Sequence, residues 1–309
     1  MSYTMMKVRG LMAAPHTPLD SKGALNVDVV EDQVRWLVEN GVKGAFVCGT
    51  TGEGPSLTAD ERMAVAKRWG EVCPPDFKLF VHVGHSSIEA SKALARHARS
   101  IGADAIGAVG PYFFTPRDED DLAGFCAEVS GAVPRMPFYY YHMPEMSCAD
   151  VRVFDFLHVA ADSIPALAGV KFTNEDLMDY ARCVDFQDGR FDILFGRDEI
   201  LLAGLSMGAS GAVGSTYNFA ACLSVQLMEA FTAGQMEEAR RWQKRSQKLI
   251  AILGRYGGLA AGKAVMQILG IDCGPVRPPL RSLSGEERQE LKRELDTAGY
   301  LESLGAATF

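Results

Sequence analysis

Short, continuously apolar runs alternate with longer amphipathic stretches from residue 11 to about residue 234. The apolar runs are Leu11–Pro15, Gly44–Cys48, Lys78–Val83, Ala105–Val109, Pro137–His142, Leu167–Phe172, Phe191–Phe195 and Gly211–Ser215. Between them lie Val27–Asn40, Thr58–Cys73, Ile88–Ser100, Glu119–Gly131, Val151–Ala161, Glu175–Phe186 and Glu199–Met207, whose apolar positions recur at helical spacing. Thr58 with Glu61 three residues on is a capping box, and Asn40-Gly41 and Ile101-Gly102 read as helix stops. The strands do not alternate apolar with polar residues, as expected of a parallel sheet covered by helices on its outer face. Eight strand-then-helix units predict an α/β protein, a closed (β/α)8 TIM barrel, with an open doubly wound sheet as the alternative. Ile101-Gly-Ala-Asp and Met207-Gly-Ala-Ser, both at helix-to-strand joints, fit repeated units. Beyond the eighth unit, Gln235–Leu253, Leu259–Leu269 and Gly285–Leu301 predict a C-terminal three-helix extension. The expected division is therefore a barrel over residues 1–234 and, packed on it, a helical extension over 235–309.

Such barrels carry their chemistry at the C-terminal ends of the strands. There the sequence places His16, Gly49-Thr-Thr-Gly-Glu-Gly54, Gly84-His85, Gly110-Pro-Tyr-Phe-Phe114, Tyr139-Tyr-Tyr-His-Met-Pro144, Lys171-Phe-Thr173, Gly196-Arg-Asp-Glu199 and Gly214-Ser-Thr-Tyr-Asn218. Lys171 stands out, because it ends an apolar run. Burying an unpaired ammonium is costly, and a lysine that gives up its proton is a nucleophile for a ketone carbonyl. A lysine snorkelling to water would occupy the same position. Strand parity puts Thr173 on the same face as Lys171. Lys43 and Lys78 begin strands, at the opposite end of the barrel, which leaves Lys171 as the one lysine the pattern places at the top.

The net charge of −8 and pI near 5.3, with no Lys/Arg cluster, argue against nucleic acid or an anionic membrane as partner and favour a small ligand. The first residues hold too short an apolar run for a signal peptide, and no run reaches the roughly 18 residues of a membrane span, so a cytoplasmic address is expected. Cysteines 48, 73, 126, 148, 183, 222 and 273 are widely spaced without a Cys-x-x-Cys pair, which suggests neither a disulfide framework nor zinc. His82 and His85 face opposite ways on a strand, so no metal site is indicated. Gly257-Gly-Leu-Ala-Ala-Gly-Lys263 has the spacing of a phosphate loop but is followed by Ala264 and preceded by no strand. Gly208-x-x-Gly-x-x-Gly214 lies on the last strand unit, the wrong place for a dinucleotide fingerprint.

Gly49-Thr-Thr-Gly-Glu53, Tyr141 followed by Pro144, Gly169-Val-Lys171 and Gly211-Ala-Val-Gly-Ser215 together resemble the dihydrodipicolinate synthase and N-acetylneuraminate lyase superfamily of class I aldolases, over about residues 8 to 300. Gly169-Val-Lys-Phe-Thr173, Gly196-Arg-Asp-Glu199 and Gly214-Ser-Thr-Tyr-Asn218 are most similar to its N-acetylneuraminate lyase branch. The resemblance implies Lys171 as the Schiff-base nucleophile and Tyr141 as the proton-transfer group, although Tyr141 would also suit plain packing in an aromatic strand. Thr50 and Thr51 would cradle a carboxylate, no arginine being evident beside them, and Gly-Thr-Thr-Gly equally suits an ordinary turn. Thr173, Gly196, Asp198, Glu199 and Ser215 would bind a polyhydroxylated tail; Asp198 and Glu199 also suit the start of a helix. The implied partners are pyruvate and a sugar acid, with no cofactor and a homotetrameric assembly.

Two positions depart from the superfamily pattern. Synthases carry an arginine five residues after the tyrosine, where this chain has Met146. Many members have a tyrosine, donated across a subunit interface, where this chain has Phe113, which cannot relay a proton. The activity implied is reversible cleavage of a sialic acid to pyruvate and an amino sugar. The alternatives are another pyruvate-dependent aldolase or dehydratase, such as one acting on 2-keto-3-deoxy sugar acids, or a synthase-like enzyme. Outside catalysis, a sugar-acid sensor remains.

Overall fold

A computed structural model describes residues 7–305; residues 1–6, where the signal-peptide reading begins, and 306–309 lie outside the described part. The eight strands are β1 Gly10–Ala13, β2 Gly44–Val47, β3 Lys78–His82, β4 Ala105–Val109, β5 Phe138–His142, β6 Leu167–Phe172, β7 Asp192–Phe195 and β8 Gly211–Gly214. Each pairs in parallel with the next, and β8 pairs with β1, closing the barrel. The TIM barrel is thus the fold, and the open-sheet alternative falls.

Period-two parity sorts each strand into two cores. Met12, Phe46, Phe80, Tyr139, Tyr141, Leu194 and Val213 fill the barrel interior, while residues such as Val47, Val81, Tyr140 and Val170 meet the surrounding helices. On β5 the parity is plain. Tyr140 packs outward against Phe156 with ring centroids 4.6 Å apart, whereas Tyr139 points inward and donates to Asp192 Oδ2 at 2.9 Å. With both faces covered, these strands need no polar alternation, which is why they read as unbroken apolar runs.

The capping box forms as the sequence predicts. Glu61 N donates to Thr58 Oγ1 at 3.2 Å, and Thr58 N donates to Glu61 Oε2 at 2.8 Å. Three stretches differ from the periodicity. The helix expected over Glu199–Met207 opens as a single 3₁₀ turn, Asp198–Ile200, before the helix Leu201–Ser206. The helix Leu177–Gly189 bends where Gln187 and Asp188 take φ of 50° and 56°. A helix after β8, Tyr217–Thr232, is not visible in the pattern because it is apolar nearly all round. Tyr217, Ala221 and Leu227 face the barrel while Phe219, Ala220 and Leu223 face the C-terminal helices, leaving little polar face to mark a period.

The C-terminal helices are Met236–Arg255, Leu259–Ile268 and Gly285–Thr297, followed by the short Tyr300–Ser303. The expected third helix stops early because Gly299, at φ +68°, turns the chain. The segment joining the second and third helices ties this unit to the top of the barrel. Arg277 donates to both carboxylate oxygens of Glu61, at 2.5 and 2.7 Å, and to the carbonyls of Gly23 and Ser56, at 2.9 and 3.0 Å. No single described helix is long and apolar enough to cross a membrane.

Candidate active site

A cavity of about 560 Å³ opens at the C-terminal ends of the strands, and Thr50, Thr51, Tyr141, Lys171, Thr173, Gly196, Asp198, Glu199 and Ser215 all line it. Lys171 and Thr173 enter it from β6. Ladder register sets Tyr141 of β5 directly opposite Lys171, so the two share a level of the barrel. Lys171, only 4% exposed, places Nζ 4.0 Å from the Tyr141 ring centroid and 4.6 Å from that of Phe46. Tyr141 Oη lies 3.0 Å from Thr50 Oγ1, which joins β5 to the turn after β2.

That turn is wound tightly. Gly54 N donates to the Gly49 carbonyl at 3.0 Å, and Glu53 takes a left-handed φ of 55°. Gly54 is required there, since a Cβ would stand 2.1 Å from the Cys48 carbonyl oxygen. The Glu53 carboxylate turns away from water. Its Oε2 accepts from Arg277 N at 2.7 Å, and its Oε1 lies 2.7 Å from Lys263 Nζ, with the two side chains 1% and 2% exposed. Lys263 also donates to the Pro275 carbonyl at 2.7 Å. Burial lowers the Lys263 pKa, and the Glu53 charge opposes that shift. Lys171 is therefore not the one lysine at the top. Lys263 reaches the same end of the barrel from helix Leu259–Ile268, a position that strand-end reasoning does not survey.

Asp198 and Glu199 stand on the cavity wall after β7. Asp198 does not serve its own helix. Its Oδ2 accepts from Thr216 N at 2.9 Å and Thr216 Oγ1 at 2.7 Å, linking the β7 and β8 loops. Burial pushes its pKa up to about 6, the Glu199 charge adds to the rise, and the Thr216 hydrogen bonds and Lys171 oppose it. Two glycines make room for this wall. A Cβ on Gly214 would lie 1.9 Å from Asp198 Oδ1, and one on Gly196 would lie 2.3 Å from Thr173 Oγ1. Ser215 lies exposed on the same wall.

An arginine is at hand after all. Arg197 lines the cavity, its guanidinium paired with Glu175 and lying 3.7 Å from Glu145. Both carboxylates follow neighbouring strands, so the pairing is invisible until the barrel brings the loops together. Met146 lines the rim at 60% exposure, while Phe113 and Phe114 stand clear of the cavity at 79% and 84% exposure.

The model of the dihydrodipicolinate synthetase family matches residues 7–298. The chain belongs to that family. Among its relatives is the N-acetylneuraminate lyase of Mus musculus, 41% identical over 308 residues, which cover 98% of this chain and 96% of the relative. Among solved structures, the N-acetylneuraminate lyase (sialic acid aldolase) of Aliivibrio salmonicida superposes with a TM-score of 0.94 at 40% identity, covering 97% of this chain and 100% of the other. A catalytic lysine mutant of the Ruminococcus gnavus sialic acid aldolase superposes with a TM-score of 0.90 at 27% identity, covering 96% and 97%. Phe113 gives the loop after β4 an exposed apolar tip, which stacks edge-to-face on Phe114 with centroids 5.0 Å apart.

Proposed function

We propose that this protein is an N-acetylneuraminate lyase, a class I aldolase that cleaves N-acetylneuraminate reversibly to pyruvate and N-acetylmannosamine. The observation that carries the reading is Lys171 Nζ held 4.0 Å from the Tyr141 ring inside a cavity that also presents the hydroxyls of Thr50, Thr51, Thr173 and Ser215 and the carboxylates of Asp198 and Glu199. The relatives named above add weight, since one of those aldolases works through a catalytic lysine.

The Lys171 amine attacks the C2 ketone of the open-chain sugar acid, and loss of water gives an iminium. The hydroxyls and backbone N–H groups of Thr50 and Thr51 hold the adjacent carboxylate. Tyr141 relays the proton of the C4 hydroxyl, its phenol accepting that proton while passing its own to the substrate carboxylate, from which it can return to C3, and Thr50 Oγ1 lies 3.0 Å from the phenol as hydrogen-bond partner. The C4–O electrons form the aldehyde, the C3–C4 pair moves toward the iminium nitrogen, and the amino sugar departs. Protonation of the enamine at C3 and hydrolysis by water release pyruvate and restore Lys171. Thr173, Gly196, Asp198, Glu199 and Ser215 receive the hydroxylated tail, for which carboxylates and hydroxyls are suitable partners. We propose a cytoplasmic homotetramer as the working form, with the exposed Phe113–Phe114 loop as part of its contact surface.

Incubation with pyruvate and borohydride should add a reduced pyruvyl group to the peptide containing Lys171, and Lys171→Ala should abolish turnover while staying folded. An adduct on another lysine, or none, would sink the mechanism. Condensation of pyruvate with N-acetylmannosamine should far exceed that with aspartate semialdehyde. The reverse order would favour the synthase-like reading that Met146 speaks against.

A further inference from the structure

His16 ends the first strand unit and lies on the cavity wall between Thr51 and helix Leu259–Ile268. It is 2% exposed, and neither ring nitrogen has a hydrogen-bond partner among the described residues. The Thr51 backbone lies beside the ring, outside the geometry of a normal hydrogen bond. Burial, reinforced by the Lys263 charge, holds its pKa down to about 3, so the imidazole is neutral in the working range. A neutral imidazole has one N–H donor and one lone pair. Space for the ring is made deliberately: a Cβ on Gly262 would stand 2.8 Å from His16 Nε2 and 2.9 Å from Cε1.

A buried polar ring without partners costs stability. Such a group is explained by a ligand that completes its bonds. Resting on the lyase reading above, we propose that His16 is a substrate-specificity residue that hydrogen-bonds an uncharged hydroxyl or amide group of the bound sugar acid. It follows β1, whereas Asp198 follows β7, two strands away round the barrel. The ligand class follows from the chemistry. A neutral donor–acceptor matches a hydroxyl or an acetamide, each of which also donates and accepts, and offers no charge to a second carboxylate or phosphate.

The test compares wild type, His16→Leu, His16→Gln and Gly262→Ala on N-acetylneuraminate and on a short 2-oxo acid lacking the sugar chain. One neutral hydrogen bond is worth about 0.5–1.5 kcal/mol, so His16→Leu should raise KM for N-acetylneuraminate by about 2- to 12-fold. Activity on the short acid and borohydride trapping with pyruvate should be unchanged. His16→Gln, a neutral donor and acceptor, should recover part of the loss, and Gly262→Ala, which pushes on the ring, should resemble His16→Leu. Thermal stability separates binding from packing. Leucine fills similar space without an unpaired polar atom, so the melting temperature should hold or rise. An unchanged KM in an active His16→Leu enzyme would overturn the proposal, as would a fall in melting temperature accompanied by loss of trapping. A wild-type protein that traps pyruvate but does not cleave N-acetylneuraminate would instead overturn the substrate reading, and this inference with it.

Discussion

Replacing Lys263 with methionine removes the cation from a pair whose carboxylate cannot reach water. Glu53 would keep the Arg277 N–H bond at 2.7 Å but lose the ammonium at 2.7 Å, with its side chain 1% exposed. Removing one partner of a buried pair typically costs about 3–5 kcal/mol, mainly because the other charge is left uncompensated. Lys263→Met should therefore destabilise the protein by that order, whereas adding Glu53→Gln, which removes the stranded charge, should recover a large part. The loss should reach the chemistry through the turn that carries Thr50 and Thr51. In the condensation direction the pyruvate KM should rise in the single variant and partly return in the double. Urea unfolding followed by circular dichroism, with initial rates at varied pyruvate, measures both. A single-variant loss below about 1 kcal/mol, or a double variant as unstable as the sum of the two singles, would refute the reasoning, because coupled charges must be non-additive.

Gly214→Ala should drive the Asp198 carboxylate from its place, since the new Cβ would sit 1.9 Å from Oδ1. Hydrogen bonds to charged groups are worth about 1.5–3 kcal/mol each, so kcat/KM for N-acetylneuraminate should fall by about 10-fold or more while pyruvate trapping persists; wild-type kinetics would count against the glycine's role. Asp198 should also leave a signature in stability against pH. Its pKa is about 6 folded against an ordinary value of 3.8, so between these values the folded protein keeps a proton that the unfolded chain has lost. Stability from this group therefore declines as pH rises from about 4 to 6, by an amount of order 3 kcal/mol. Unfolding free energies of wild type minus Asp198→Asn, measured across that range, should slope downward, and an upward slope would contradict the assignment.

The barrel was legible because its strands are buried on both faces, and burial writes apolar runs directly into the chain. The level shared by Lys171 and Tyr141 followed from two strand ends, each marked by its own local pattern. What the sequence hid depends on segments far apart. Arg277 N and Glu53 are separated by 224 residues, and neither neighbourhood announces the other. Arg197 sits beside two acidic partners only once the β5, β6 and β7 loops converge. Asp198, expected on the tail-binding wall, also suits the opening of a helix, where carboxylates are common, yet its hydrogen bonds go to the next strand's loop. Helix Tyr217–Thr232 was missed for the opposite reason. Sandwiched between barrel and extension, it has too little polar surface to reveal a period.

The clamp on Glu53 has a consequence for the order in which a newly made molecule becomes competent. Chains emerge from the ribosome N-terminus first, and the strands and Lys171 precede the residues that fasten the β2 turn. Until Lys263 and Arg277 have been translated and docked, Glu53 has no reason to leave water, and the left-handed bend that sets Thr50 and Thr51 is held only by bonds from the N-terminal part of the chain, such as Glu53 N to the Thr50 carbonyl, Gly54 N to the Gly49 carbonyl and Thr17 Oγ1 to the Gly52 carbonyl. A nascent barrel would thus carry its amine without a firm seat for the carboxylate of a 2-oxo acid. On the proposed mechanism, catalytic competence would arrive late in synthesis, and a chain stopped short of the clamp would be a scaffold without an aldolase.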